Sequence, residues 1–496
     1  MRILFLILSL FVIKSYLYSQ VTFNKTIDFT SGDETAQSIV NVPDGYIIAG
    51  HGYGYETEDY LQVKLKFAKI DLDGNTIWQR VVSDSGFNLF CDGQSGTLTQ
   101  EGNVIFGGSR QTDTTSEIMI ISLAPPTGDT LFYKIYSFSD FLYGTQVRKL
   151  SSGEFIMLGF DYNASSGYLL IKFSTNGDLI WSKSYGVSTE TAPSNFEIDS
   201  DDKIWLINKY LFCSPPGSII REIDSSGTII SQEFIPDHCL FAGQKSVIGG
   251  FYGPGGYYPI PPYQTFTYRM DASFNLTWIN ETEIDFDTLE SGELYTGAAK
   301  ELPNGDLISI GYYAENESNR YIGIVSKIDK FGNSIWERYY TCINENFDSR
   351  TTDLNLTLDN GILITGVGYS EIESETQNFW VLKLDSMGCL FPGCDTLGNQ
   401  IYEVPSIASS ISIYPNPVIT NSLIRIETRQ NINKPDSYEL IDALGNKVKF
   451  HRITNNYYTG NAYQFILEKP INLYGLYILN IYSEYSFIGS IKVMLN

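Results

Sequence analysis

At 496 residues the chain is long enough to bury more than one core, and an apolar share of 43% excludes wholesale disorder. Its 35 Tyr, 29 Phe and 43 Gly favour pleated strands joined by tight turns. The net charge of −24 belongs to the body, because residues 1–20 and 411–496 each hold a small excess of Lys and Arg. An acidic body lacks the basic footprint of a nucleic-acid binder and serves solubility instead.

The first 20 residues, MRILFLILSLFVIKSYLYSQ, place Arg2 before an apolar run from Ile3 to Ile13. That run is too short to span a bilayer and has the length of a signal-peptide core, with cleavage expected after Ser19 or Gln20. No Cys follows it to carry a lipid, and no later stretch has the length of a transmembrane helix. The expectation is an exported, soluble mature chain without a transmembrane segment.

From residue 21 one pattern recurs at intervals of about fifty residues. It is an apolar strand ending in Lys-Ile-Asp or similar, a glycine turn, and a strand with an aromatic four residues after the glycine. The clearest copies are KIDLDGNTIW (69–78), KFSTNGDLIW (172–181), RMDASFNLTW (269–278) and KIDKFGNSIW (327–336). Weaker ones are APPTGDTLFY (124–133), EIDSSGTIIS (222–231) and KLDSMGCLFP (383–392). Each is preceded by a short strand between glycines, such as DGYIIAG (44–50), EGNVIFGG (101–108) or NGDLISIG (304–311), with DDKIWLIN (201–208) and GQKSVIGG (243–250) as degenerate forms. About four short strands per unit is the content of one propeller blade, and seven units predict seven blades.

The seventh unit runs into CLFPGC, which cannot supply a last strand. The start of the mature chain can: VTFNKTIDF aligns with TIWQRVVSD (76–84) and places Phe23 where Trp78 sits. The N-terminal strand is therefore expected to complete blade seven and remove the open edges. The repeated aromatics are read as packing between neighbouring blades. These units resemble the β-propeller repeats of exported bacterial proteins, with their KxDxxGNxxW-type stretch. They are also similar to the tryptophan-docked repeats of quinoprotein dehydrogenases, a family of eight blades with a calcium-bound quinone. Seven units and no vicinal cysteine pair argue against that cofactor here.

Candidate ligand contacts fall in FYGPGGYYPIPPY (251–263), read as an insertion between the second and third strands of unit five. Tyr252, Tyr257, Tyr258 and Tyr263 on such a loop would stack on sugar rings or a peptide, or else pack on one another. The acidic turns Asp71-Leu72-Asp73-Gly74 and Asp199-Ser200-Asp201-Asp202 offer oxygens to calcium, although turn formation explains Asp and Gly there equally. The three His are scattered and no CxxC occurs, so no metal site is assigned. Six Cys in an exported chain can pair, and Cys389 and Cys394 bracket a turn that a disulfide would close. No GxSxG or HExxH motif is present, and an aromatic four residues after the turn glycine differs from the sialidase Asp-box. No catalytic residue is nominated.

After a linker (399–410) comes a small β-rich segment, 411–496. Tyr414-Pro415-Asn416-Pro417 ends its first strand, Leu440–Val448 forms a strand pair around Asp442 and Gly445, and Gly475–Ile481 includes Tyr477. These three stretches, in this order, resemble the C-terminal sorting domain of the Bacteroidetes type IX secretion system. That resemblance implies a periplasmic intermediate, recognition by the secretion machinery at the outer membrane, and release or attachment at the cell surface. The expected fold is thus all-β: a seven-bladed propeller over 21–398, then a small C-terminal β-sandwich. Repeats without a catalytic constellation predict a binding or adhesion protein with a glycan or protein ligand. The alternative is a secreted hydrolase of polysaccharide or peptide, with its site on a propeller face.

Overall fold

The computed structural model describes residues 20–390 apart from 30–31, 54–61, 139–141, 162–167, 186–194, 210–216, 257–264, 282–293, 316–319, 343–347 and 371–375. Beyond these it describes Cys394 and the strand segments 402–403, 411–414, 423–428, 437–442, 447–452, 456–459, 462–468, 475–483 and 486–495. Among the described residues there is no helix long and apolar enough to cross a membrane.

Seven sheets follow one another along the chain, each built on an antiparallel four-strand path; in blades two and five the first strand is split in two, and blade six gains a fifth, parallel strand. Blade one comprises Glu34–Val42, Gly45–Tyr53, Val63–Ile70 and Thr76–Val82; blade three comprises Leu142–Lys149, Phe155–Asp161, Tyr168–Phe173 and Leu179–Tyr185. Blades two, four, five and six occupy 88–136, 195–236, 239–281 and 294–340. Blade seven takes Ser349–Leu356, Ile362–Ser370 and Thr376–Leu384 from the end of the repeats, and Phe23–Ile27 from the beginning. The fold is a seven-bladed β-propeller. First strands of neighbouring blades touch one another around the hub, whereas fourth strands form the rim, where most residues are exposed or half-buried.

The closing strand has the expected register. Phe23 lies opposite Lys383, as Trp78 lies opposite Lys69, Trp181 opposite Lys172, Trp278 opposite Arg269 and Trp336 opposite Lys327. Each of these rings then covers the turn glycine of the next blade. A methyl group at Gly74 would come within 2.8 Å of the Phe23 ring, one at Gly128 within 2.9 Å of Trp78, and one at Gly332 within 2.7 Å of Trp278. Trp78 and Trp278 also donate their indole N–H to the next turn, at Pro125 O (2.9 Å) and Lys330 O (3.0 Å). The turn glycine carbonyls are capped from the preceding blade as well, by Lys25 on Gly74, Tyr136 on Gly177, Tyr185 on Gly227, Asn280 on Gly332 and Tyr340 on Gly388. A blade buries its faces only by leaning on its neighbour, so these contacts are the joints of the ring.

In blades one, three and seven the lysine near the end of the third strand is held by an acid near the first turn. Lys69 bonds Asp44 (2.7 Å), Lys172 bonds Glu154 (2.6 Å) and Lys383 bonds Asp359 (2.6 Å). Blade four reverses the signs, with Lys203 at the turn and Glu222 on the strand, 2.5 Å apart. The ladder tolerates either polarity as long as the pair is opposite.

Blade five departs from the expected register. Gly249 and Gly250, both at positive φ, form its first turn. The second strand is accordingly Phe251–Gly256, not 243–250, and the third is Thr265–Met270. Tyr252 is therefore a strand residue rather than a loop residue. Phe274 holds the left-handed turn position (φ 63°) that glycine holds in the other blades, and stacks on Phe251 at 5.6 Å.

Cys389 and Cys394 form a disulfide, with Cα atoms 5.6 Å apart. A two-residue strand, Tyr402–Glu403, runs parallel to the rim strand of blade six. In the C-terminal segment two four-stranded antiparallel sheets are described, one of 411–414, 423–428, 462–468 and 456–459, the other of 447–452, 437–442, 475–483 and 486–495.

Candidate functional site

The hub brings together one residue from each first strand. Val40, Thr97, Arg148, Glu197, Gln244, Lys300 and Asn355 stand at the same register position, opposite Ile47, Ile105, Ile156, Trp205, Tyr252, Ile308 and Leu363 of their second strands. Three are charged, and they come from blades three, four and six. The layer next to the bulge, two residues earlier on the first strands, supplies Ser38, Gln146 and Asp353, which stitch blades together. Ser38 Oγ accepts from Gly96 N (3.2 Å), Gln146 Oε1 from Phe196 N (3.2 Å) and Asp353 Oδ2 from Ile39 N (2.9 Å). The bulges arise because the first strands are two residues against one at these points, as at Ala36/Ser38, Gly144/Gln146, Thr296/Ala298 and Thr351/Asp353.

Blade two breaks this pattern. Its first strand is interrupted between Asn88–Phe90 and Gly96–Leu98, and the intervening residues turn into the hub. A methyl group on Gly93 would lie 3.6 Å from both Gln37 O of blade one and Thr352 O of blade seven. Gln94, with φ of 56°, is gripped from the other side. Arg148 donates to its main-chain oxygen (2.8 Å) and to its Oε1 (2.7 Å), and Asn195 Nδ2 reaches the same Oε1 at 3.4 Å. A non-glycine residue held in the left-handed region costs free energy, and such residues concentrate at functional places. Residues 91–95 thus form a bridge across the hub that contacts blades one, three, four and seven.

The electrostatics follow from burial. Arg148 lies 3.9 Å from Glu197, so its charge is shared between that carboxylate and Gln94. Asp353 has both oxygens on main-chain N–H groups, those of Ile39 and Leu354, yet burial pushes its carboxyl up to about 6 against the pull of Lys300. Asp92, at the head of the bridge, is pushed up to about 6 by burial. Lys300 is half-buried, and its ammonium is pushed down by loss of water, with Glu197 and Asp353 acting against that shift and Arg148 adding to it. Among the described residues no acceptor lies within hydrogen-bonding or ion-pairing distance of Lys300.

The residues nominated from sequence fall elsewhere. Tyr252 is 4% exposed, donates to Gln244 Oε1 (2.7 Å) and accepts from Glu301 N (3.1 Å), so it packs blade five against blade six. Tyr257, Tyr258 and Tyr263 lie outside the described residues, as do Pro415, Asn416, Pro417 and Gly445. Tyr414 ends strand Ile411–Tyr414, Gly475 pairs with Leu495, and Asp442 and Tyr477 are cross-strand neighbours. Asp71 spends its carboxylate on Asp73 N, Asn75 N and Asn75 Nδ2, and Asp199 on Asp201 N, Lys203 N and Trp205 Nε1. Those carboxylates build the turns, and among the described residues no cluster of metal-ligating side chains is found.

None of Gln94, Arg148, Glu197, Lys300 or Asp353 was singled out by motif. A signal existed: the seven layer residues each stand five positions before a positive-φ turn residue, namely Gly45, Gly102, Gly153, Asp202, Gly249, Gly305 and Asn360.

No family model matches the sequence, and no curated protein matches it. Solved structures do. A puromycin hydrolase mutant is 11% identical with a TM-score of 0.46, covering 82% of this chain and 61% of its own. The polysaccharide lyase Uly1 is 8% identical (TM-score 0.42; 75% and 93% covered). The β-propeller domain of the Trilobed protease from Pyrococcus furiosus is 12% identical (TM-score 0.39; 76% and 99% covered). At these identities and TM-scores the likenesses carry no activity over to this chain, and the propeller rests on its own strand pairing.

Proposed function

We propose that this chain is an exported propeller that binds its ligand at the hub without transforming it, delivered to the cell surface or medium by the type IX secretion route. The observation that carries the binding half is the convergence of Gln94, Arg148, Asn195, Glu197 and Lys300 from four blades around one strained bridge. Polar groups that meet in a concave, partly desolvated place are the ordinary makings of a small-molecule site. The export half rests on the N-terminal apolar run and on the three C-terminal stretches at Tyr414–Pro417, Leu440–Val448 and Gly475–Ile481.

A glycoside hydrolase of the usual kind needs a carboxyl group free to pass a proton to its substrate. Asp353, which with Asp92 is one of two raised hub carboxyls, has both oxygens committed to backbone N–H groups, which takes it out of use as a proton donor. A glycan array and a hydrolase panel on the full chain separate the two. Binding without turnover supports the proposal, and turnover abolished by Glu197→Gln would replace it. Deletion of 411–496 should leave the product in the periplasm of the native host, and normal surface delivery of that truncation would remove the sorting claim.

A further inference from the structure

We propose that the Cys389–Cys394 disulfide is a reducible clamp on the seam where the N-terminal strand closes the ring, and that Arg338 stabilises the thiolate Cys394 becomes when the clamp opens. The starting point is the rim residue two positions after each docking aromatic. On the closing strand and in blades one, two and five it reaches the next turn. Lys25 bonds Gly74 O (3.0 Å), Arg80 bonds Thr127 O (2.6 Å), Lys134 bonds Asp178 (2.6 Å) and Asn280 bonds Gly332 O (3.0 Å). Arg338 holds that position in blade six and donates instead from Nη1 to Cys394 Sγ (2.5 Å). It is 7% exposed, its Nε–H has no acceptor, and among the described residues no carboxylate lies within ion-pairing distance of it. The indole N–H of Trp336, whose ring centre lies 5.3 Å from the guanidinium carbon, is also buried without an acceptor. A buried cation without a counter-ion is costly, and the sulfur it touches can become the missing anion.

The charges around the two cysteines set the direction of exchange. Asp385 accepts from Cys389 N (2.7 Å), so a carboxylate stands at Cys389 while the guanidinium stands at Cys394. The thiolate of glutathione attacks Cys389 Sγ, the S–S bond breaks, and Cys394 leaves as a thiolate beside Arg338. A second glutathione thiolate attacks the glutathione sulfur of the mixed disulfide, forming oxidised glutathione and releasing Cys389. Of the two protons the glutathiones shed, one goes to Cys389 and one to water. The clamp sits on the seam. Leu390, between the two cysteines, accepts from Thr22 Oγ1 (2.6 Å), Ser386 N donates to Gln20 Oε1 (2.8 Å), and Tyr340 of blade six donates to Gly388 O. Opening the loop therefore slackens the start of strand Phe23–Ile27. Passage from a reducing to an oxidising compartment closes the clamp. That timing rests on the export reading, whereas the clamp itself does not.

The test equilibrates the full chain in glutathione buffers, traps it with acid, and reads the peptides carrying Cys389 and Cys394 by alkylation and mass spectrometry. Both cysteines are buried, so exchange is given time and the equilibrium constant is the quantity compared. Reduction should be favoured at least tenfold more in the wild type than in Arg338→Gln, with Arg338→Lys within about threefold of the wild type. From pH 6 to 7.5 the wild-type constant should rise, because a proton is released, and that of Arg338→Gln should stay flat. Amide hydrogen exchange across Phe23–Ile27 should quicken at least tenfold when the wild type is reduced. A wild-type constant that is flat in pH, or equal to that of Arg338→Gln, overturns the role of Arg338. Unchanged exchange at the closing strand on reduction overturns the clamp. If Arg338→Gln does not fold, the wild-type pH profile and Arg338→Lys decide the matter.

Discussion

Phe23 and Lys383 face each other across the last pair of strands in the ring, 360 positions apart in the sequence and in the register that joins Trp78 to Lys69 inside blade one. The N-terminal strand is thus a displaced fourth strand, and its ring fills the place of an indole.

Truncating that ring should cost what a core deletion costs. Phe23→Ala removes the cover of Gly74 and is expected to destabilise the propeller by about 3 to 5 kcal/mol. Chemical denaturation should show this, and Trp78→Ala should show a loss of the same size. A loss below about 1 kcal/mol for Phe23→Ala alone would mean that the ring is not held shut by this strand.

The turn glycines separate into two kinds. Gly102 has φ of 85° but open space around it, so Gly102→Ala should lose only the backbone preference, about 1 kcal/mol. Gly332 has φ of 93° and the Trp278 ring against it, so Gly332→Ala adds a clash. Its melting temperature should fall clearly further than that of Gly102→Ala.

Two buried groups give stability opposite slopes with pH. Asp353 titrates near 6 when folded and lower when unfolded, so folding takes up a proton; its contribution is present at low pH and is lost as pH rises through 6. His51 is pushed down to about 4 by burial, with Nδ1 3.1 Å from Cys91 O, so its contribution is present above about 6.5 and is lost as pH falls towards 4. In thermal melts from pH 4 to 7, Asp353→Asn should lose the downward slope with rising pH, and His51→Gln should lose the upward one. Unchanged slopes in both variants would contradict these assignments.

The disulfide of Cys389 and Cys394 closes a short loop directly after the third strand of blade seven. By loop entropy its removal should cost about 2 kcal/mol. Cys389→Ser/Cys394→Ser should lower the denaturation midpoint by an amount that added reductant reproduces in the wild type.

The ring was legible in the sequence because its joints repeat: a glycine turn and an aromatic a fixed distance on leave the same mark in each unit, and Phe23 bears it out of order. Blade five was misread where the mark is overwritten. Phe274 takes the glycine position, and Gly249-Gly250 move the first turn, so Tyr252 looks like a loop residue until its hydroxyl is found between Gln244 and Glu301. The hub was not legible by motif. Arg148, Glu197 and Lys300 come from separate blades and share no local pattern, and the bridge of Asp92, Gly93 and Gln94 depends on how seven first strands converge.

A ring sealed by its own two ends also has a timetable. Asn24 accepts a hydrogen bond from the indole of Trp380, 356 residues later. A chain made from its N-terminus therefore carries its first strand unpaired until the repeats are nearly finished, and six blades must wait with one flank open. Long-range pairing of this kind slows folding, so the finished ring arrives late, after most of the polypeptide has left the ribosome.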